Sequence, residues 1–287
     1  MPELSFTEHF AGLAPNYDVV LCDVWGVVHN SIVASPQAHD ALSRFRRKGG
    51  AVILITNAPR PAAEVRAQLD RMGVPHHAYD SILTSGDLTR GTISERKGRN
   101  IFHIGPKRDL PLFDGLGISF VSNEQADYIV CTGLFNDEGE TPEDYRKTFE
   151  VSRARDMFML CANPDLVVER GTQLIYCAGA LAVLYEKMGG EVMYAGKPHA
   201  PVYREALQRA AKARSAETPL NRVIAIGDSM RTDMKGAIDY GIDSLFVTDG
   251  IHAEEFGARH DPDIDAVSSS LVREGVAVTA VTRRLTW

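Results

Sequence analysis

The chain alternates short apolar runs with longer amphipathic stretches. YDVVLCD (17–23), AVILITN (51–57), SILTSGD (81–87), RVIAIGD (222–228) and DSLFVTDG (243–250) read as strands. Their apolar residues are consecutive, not alternating, which suits strands covered on both faces. Helical patterns lie between them. SPQAHDALSRFRRKG (35–49) carries Ser35 as N-cap, Pro36 at the first helical position and Gly49 as the stop. RPAAEVRAQLDRMG (60–73) and TDMKGAIDYG (232–241) read as further helices. This alternation predicts an α/β fold built on a doubly wound parallel sheet.

In such sheets ligands gather outside the carboxyl ends of the strands. The polar residues at predicted strand ends are Asp23, Thr56 with Asn57, Lys197 with Pro198 after EVMYAG, and Asp228 after Gly227. These four positions are expected to converge on one crevice. The stretch from about 100 to 187 differs in texture. IFHIG (101–105), ADYIVCTG (126–133), FMLCANPD (158–165) and LIYCAGALAVLYEKMG (174–189) are enough for a small α/β domain of its own. It lies between two strand-end polar groups, so it reads as an insertion. The expected division is a Rossmann-like core of residues 1–95 and 188–287 with an inserted domain at 96–187.

Composition narrows the partners. The 287 residues are 44% apolar and 24% charged, the balance of a soluble globular protein. The net charge is −7 and no Lys/Arg stripe stands out, which argues against nucleic acid. RFRRKGG at 44–50 fits a helix C-terminus, where cations favour the dipole. No window approaches the ~18 apolar residues of a membrane span, and MPELSFTEHFAGLAP lacks the pattern of a secretory signal. Cys22, Cys131, Cys161 and Cys177 show no CxxC spacing and read as structural thiols. A cytoplasmic address is the expectation. Dinucleotide and P-loop signatures are absent. DPDID (261–265) lacks the Gly and the late Glu of a calcium loop and reads as a solvated acidic loop. His103 and His199 read as structural or surface residues.

Asp23 is the costly placement. A carboxylate closing an apolar strand is expensive to bury without a task. An Asp can attack a phosphate monoester only where positive charge neutralises the phosphoryl oxygens. Asp228 offers a hard oxygen ligand for a cation, and the Thr56 hydroxyl, Asn57 and the Lys197 ammonium can bind phosphoryl oxygens. Asp228 and Asp233 would also suit the N-cap and first turn of the helix that follows.

DVWGV at 23, TN at 56, KP at 197 and GDSMRTD at 227–233, in that order, resemble the four motifs of the haloacid dehalogenase superfamily of phosphohydrolases. The match spans essentially the whole chain. The insertion looks like a C2-type cap, and NPDL (163–166), CAGAL (177–181) and GKP (196–198) are similar to the NagD-like, class IIA subfamily. The resemblance implies a Mg²⁺-dependent phosphatase acting on a small phosphorylated metabolite, a sugar phosphate by subfamily. It implies Asp23 as nucleophile, Thr56, Asn57 and Lys197 at the phosphate, and Asp23, the Trp25 main-chain carbonyl, Asp228 and Asp233 at the metal. Asp233 could alternatively bind through water or steady Lys197. Caps of this type mediate dimers in related proteins, so a homo-oligomer through the cap is a further expectation.

The sequence departs from the family at Trp25, where a second Asp usually protonates the leaving alkoxide and then activates water. An indole N–H donates a hydrogen bond but exchanges no useful proton near neutral pH. Three readings stay open. His29 supplies the proton; the enzyme is slow on esters and better with good leaving groups; or the chain keeps the pocket as a phosphometabolite-binding protein without turnover. The substrate-contacting loops are expected within 133–140 or 163–180.

Overall fold

The computed structural model describes residues 4–30, 32–170, 173–258 and 261–287. Residues 1–3 of the amino-terminal stretch, and 171 and 172 of the stretch 163–180, lie outside the described residues. The chain divides into two compact units.

The first unit comprises the chain up to Thr56, Arg66–Leu83 and the chain from Val202 onward. Its six-stranded sheet runs in the order Ala280–Thr282, Asp243–Val247, Val223–Gly227, Val19–Asp23, Ala51–Thr56, Ser81–Thr84. Val19–Asp23 is central, with parallel partners on both sides: Val19 lies opposite Val223 and Ala51, and Asp23 opposite Ile55. All five of its residues are buried, the pattern expected for consecutive apolar residues in a doubly covered sheet. The helix Pro36–Arg47 begins as the sequence predicts. The Ser35 hydroxyl accepts from the Ala38 N–H, Pro36 sits in the first turn, and Gly49 follows at φ +94°. The helix Ala62–Arg71 spans both units.

The second unit comprises Asn57–Val65 and Thr84–Pro201. Its five strands run Glu191–Tyr194, Phe158–Cys161, Tyr128–Cys131, Asn100–Ile104, Ser119–Phe120, all pairing in parallel. Alternate residues of one strand feed two cores. Ile129 and Cys131 pack with Phe149, Leu181 and Tyr185, whereas Tyr128 and Val130 pack with Ile93, Leu112 and Phe113. An antiparallel hairpin, Val167–Arg170 with Gln173–Tyr176, precedes the helix Ala178–Lys187.

The second unit is longer than the expected 96–187. The helix Ser85–Glu95 joins it because Leu88 and Ile93 lie in its core. The strand Glu191–Tyr194 joins it because it pairs with Phe158–Cys161, residue for residue from Glu191 opposite Phe158. EVMYAG is therefore not a strand of the first sheet, and Lys197 travels with the second unit. All four cysteines are buried thiols, and burial pushes the Cys131 thiol up to about 12. Among the described residues, no helix is long and apolar enough to cross a membrane.

Candidate active site

The six-stranded sheet has a topological switch point at its middle. From Val19–Asp23 the chain moves outward to Ala51–Thr56 and Ser81–Thr84; from Val223–Gly227 it moves the other way to Asp243–Val247 and Ala280–Thr282. Connections leaving in opposite directions open a crevice at the carboxyl ends of the two adjacent strands. Asp23 closes one of these strands and Asp228 follows the other.

Asp233 completes the group. Carboxylate oxygens of Asp23, Asp228 and Asp233 all lie within 4.8 Å of one another. The three residues are 9%, 2% and 3% exposed. Local structure explains each placement. Gly227 leads through Asp228 and Ser229 into a wide turn, Met230–Met234, which brings Asp233 back towards the strand end. The N-cap of that turn is Ser229, whose hydroxyl accepts from the Thr232 N–H. Asp233 reciprocates, its Oδ2 accepting from the Ser229 N–H at 3.1 Å. The helical-start role foreseen for this acidic pair thus falls to Ser229 and Asp233, and Asp228 is left to the crevice. Its Oδ2 accepts from the Ile251 N–H at 2.8 Å, in the loop that follows Asp243–Val247.

Three glycines wall the cluster. A Cβ on Gly26, which sits at φ +83°, would lie 1.9 Å from Asp228 Oδ2. One on Gly250 would lie 2.1 Å from the same oxygen, and one on Gly227 2.2 Å from Asp233 Cγ. Only glycine permits this approach. Three clustered carboxylates form a set of hard oxygen donors that suits Mg²⁺. The donor set therefore fits the metal that the motif order implies.

Trp25 occupies the turn beyond Asp23 and is partly buried. The loop hooks back on itself. Val28 and His29 donate their N–H groups to the Val24 carbonyl at 2.9 and 3.2 Å, and Gly26 donates to the His29 carbonyl at 2.8 Å. His29 and Trp25 consequently meet in an isolated β-bridge. His29 is buried and lines a cavity of about 260 Å³ with Asn30, Gln37, Asp249 and Arg284. Proximity to Trp25 was legible as a four-residue separation; the cavity was not.

Thr56 ends the strand beside Val19–Asp23, one residue past the level of Asp23. The next residue, Asn57, opens the second unit, which also holds Lys197. Both are 4% exposed. The Asn57 Nδ2 donates to Asp165 Oδ1 at 2.8 Å and to the Lys197 carbonyl at 3.0 Å, while its Oδ1 accepts from the Lys197 N–H at 2.8 Å and from the Ser85 hydroxyl at 3.3 Å. Asp165 and Ser85 had no assigned role in the sequence reading; the NPD motif was the one available signal for Asp165.

Outside these groups, His103 packs edge-on against Phe113 with ring centroids 4.9 Å apart, and His199 stacks on Tyr194 at 4.6 Å. In DPDID, Asp263 caps the helix Ile264–Arg273, accepting from the Asp265 and Ala266 N–H groups.

Comparison with known proteins agrees with this layout. A family model described as haloacid dehalogenase-like hydrolase matches residues 20–119, and a second, HAD-hydrolase-like model matches 194–273. A crystal structure of a hydrolase of the haloacid dehalogenase-like family from Brucella suis is 44% identical, with a TM-score of 0.85, covering 98% of this chain and 100% of that one. The ribonucleotide monophosphatase NagD of Escherichia coli is 27% identical over 237 residues, 81% of this chain and 88% of NagD. An acid sugar phosphatase from Staphylococcus saprophyticus is 24% identical over 84% of this chain and 90% of its own length. With the switch-point carboxylates, the four ordered motifs and a full-length relative at this identity, the chain belongs to the haloacid dehalogenase-like hydrolases, on their NagD-like branch.

Proposed function

We propose that the protein is a Mg²⁺-dependent phosphatase that hydrolyses a small phosphorylated metabolite, a sugar phosphate by preference, through an aspartyl-phosphate on Asp23. The observation that carries this reading is the buried cluster of Asp23, Asp228 and Asp233 at the switch point. The names of the relatives, nucleotide and sugar phosphatases, support the same reaction and the same class of substrate. Four buried thiols support a cytosolic setting.

The chemistry assigned to the chain's own groups is as follows. A carboxylate oxygen of Asp23 attacks phosphorus and the bond from phosphorus to the ester oxygen breaks. The departing alkoxide takes a proton. Water then attacks the aspartyl-phosphate, loses a proton, and releases inorganic phosphate with the Asp23 carboxylate restored. The Thr56 hydroxyl, the Asn57 main-chain N–H and the Lys197 ammonium hold the phosphoryl oxygens. Asp23, Asp228, Asp233 and the Trp25 carbonyl would hold Mg²⁺, which would supply positive charge against the anionic substrate.

Trp25 leaves the proton to another group. We assign it to His29, buried beside Trp25 and facing the cavity described above. A general acid contributes about 10²–10⁴ in rate, so poor leaving groups depend on it and acyl phosphates do not. The competing reading is a phosphometabolite-binding protein with little turnover, and Trp25 is the observation that favours it.

The test is phosphate release by the purified chain from an aryl phosphate, acetyl phosphate and sugar phosphates, with Mg²⁺ and with EDTA. Metal-dependent release that falls on the order of 10³-fold or more in Asp23→Asn is expected. No release above that of the variant, with thermal stabilisation by the same compounds, overturns the hydrolase in favour of the binding protein. Equal slowing of ester and acyl-phosphate hydrolysis by His29→Ala would remove His29 from its role.

A further inference from the structure

A carboxamide offers two N–H donors and two acceptor lone pairs, and no more. In Asn57 all four are used. Both Nδ2 hydrogens go to protein acceptors, Asp165 Oδ1 and the Lys197 carbonyl, and both Oδ1 positions receive protein donors, the Lys197 N–H and the Ser85 hydroxyl. The side chain has no capacity left for a phosphoryl oxygen.

Two of the four bonds go to one residue. Asn57 grips Lys197 at its N–H and its carbonyl together, as a neighbouring strand would. Fixing both main-chain groups fixes the direction in which the Lys197 side chain leaves the backbone. The other two bonds set the polarity of the grip. The Asp165 carboxylate can only accept, so it holds Nδ2 on its own side; the Ser85 hydroxyl reinforces Oδ1 on the other. The fit is close. A Cβ on Gly196 would lie 2.2 Å from Ser85 Oγ and 2.5 Å from Asn57 Oδ1. Asn57 and Lys197 are 4% exposed and Ser85 is fully buried, so each lost bond would strand a polar group away from water.

We propose that the Asn57 side chain is a positioning residue: with Asp165 it clamps the main chain of Lys197, and it acts on phosphate only through the ammonium that it aims. The proposal rests on Lys197 serving the phosphate group.

A double-mutant cycle on the full chain separates aiming from direct contact. The probe is inorganic phosphate with Mg²⁺, titrated calorimetrically into wild type, Asn57→Ala, Lys197→Met and the double variant. Asn57→Ala is expected to weaken phosphate about tenfold in the wild-type background and less than about twofold beside Lys197→Met. The same tenfold loss in both backgrounds, or no loss in either, overturns the clamp. Asp165→Ala, at a partly exposed position, repeats the cycle if Asn57→Ala does not fold. A second readout needs no phosphate. Reductive methylation of Lys197, followed by peptide mass spectrometry, should quicken about tenfold relative to the other lysines when Asn57 or Asp165 is replaced by Ala. Unchanged labelling overturns the clamp. Faster labelling in a protein that binds no phosphate leaves the clamp standing and removes the phosphatase reading instead.

Discussion

The carboxylate cluster of the first unit and the Asn57 cluster of the second are both buried polar groups at the ends of parallel strands, but they are built on opposite principles. Asp23, Asp228 and Asp233 bring like charges within 4.8 Å of one another, and Gly26, Gly227 and Gly250 let the backbone approach them closely. Like charges in a low-dielectric site repel, and a cation relieves that repulsion. Asn57, Asp165, Ser85 and the Lys197 main chain instead match donor to acceptor until the carboxamide is saturated. The first arrangement costs stability unless a cation offsets the repulsion; the second consumes its polar groups to hold a backbone. Burial alone does not tell the two apart. The like charges gathered in the first do.

The largest effect on this contrast should come from Trp25→Asp, which adds a fourth acid beside the carboxylate cluster. Hydrolysis of sugar phosphates should rise by about 10²–10⁴, with acetyl phosphate rising far less. Steady-state rates on the two substrates check this; an equal rise on both would mean that Trp25 obstructs the site rather than lacks a proton.

Asp228→Asn should follow, and its sign depends on metal. Removing one charge relieves repulsion, so the melting temperature in EDTA should rise. The added stabilisation by Mg²⁺ should shrink, as expected for a metal affinity lowered by about 10–100-fold. Asn57→Ala should lower the melting temperature with and without metal. Parallel behaviour of the two variants would erase the distinction between a cluster of like charges and a saturated one.

The smallest effect is an acid limb of stability in the second unit. His103 Nε2 lies 3.0 Å from the Thr132 hydroxyl, which also bonds the buried Asp109 carboxyl. Burial pushes His103 down to about 4 from 6.5. Between those values the unfolded chain binds a proton that the folded chain refuses, so stability is complete above pH 6.5 and is lost as pH falls towards 4. The loss is at most about 3 kcal/mol. Burial raises the Asp109 pKa, which acts in the opposite direction, so the measurement is the difference between wild type and His103→Asn in urea melts from pH 4 to 7. A wild-type slope unchanged in the variant would assign the acid limb to other groups.

Much of the carboxylate site was readable in one dimension. Consecutive apolar residues ending in Asp23, and again in Gly227–Asp228, mark doubly covered strands with an acid at the ligand end, and strand periodicity is a local property of the chain. The helix Pro36–Arg47 carries its start and stop in Ser35, Pro36 and Gly49 for the same reason. What the chain alone could not state is which partner each group meets. EVMY reads as a strand in either sheet; pairing with Phe158–Cys161 put it in the second and took Lys197 with it. The Asn57 carboxamide reads as a phosphate donor until its four bonds to Ser85, Asp165 and Lys197, from 28 to 140 residues away, fill it. The need for glycine at 26 and 250 is equally non-local, because the Asp228 carboxylate stands where their Cβ atoms would be. Sequence determined the elements and the acids at their ends, because both follow from neighbouring residues. Only the tertiary structure decided which polar groups are left for chemistry, because a hydrogen bond is spent on whatever the fold brings within 3 Å, however far away in the chain.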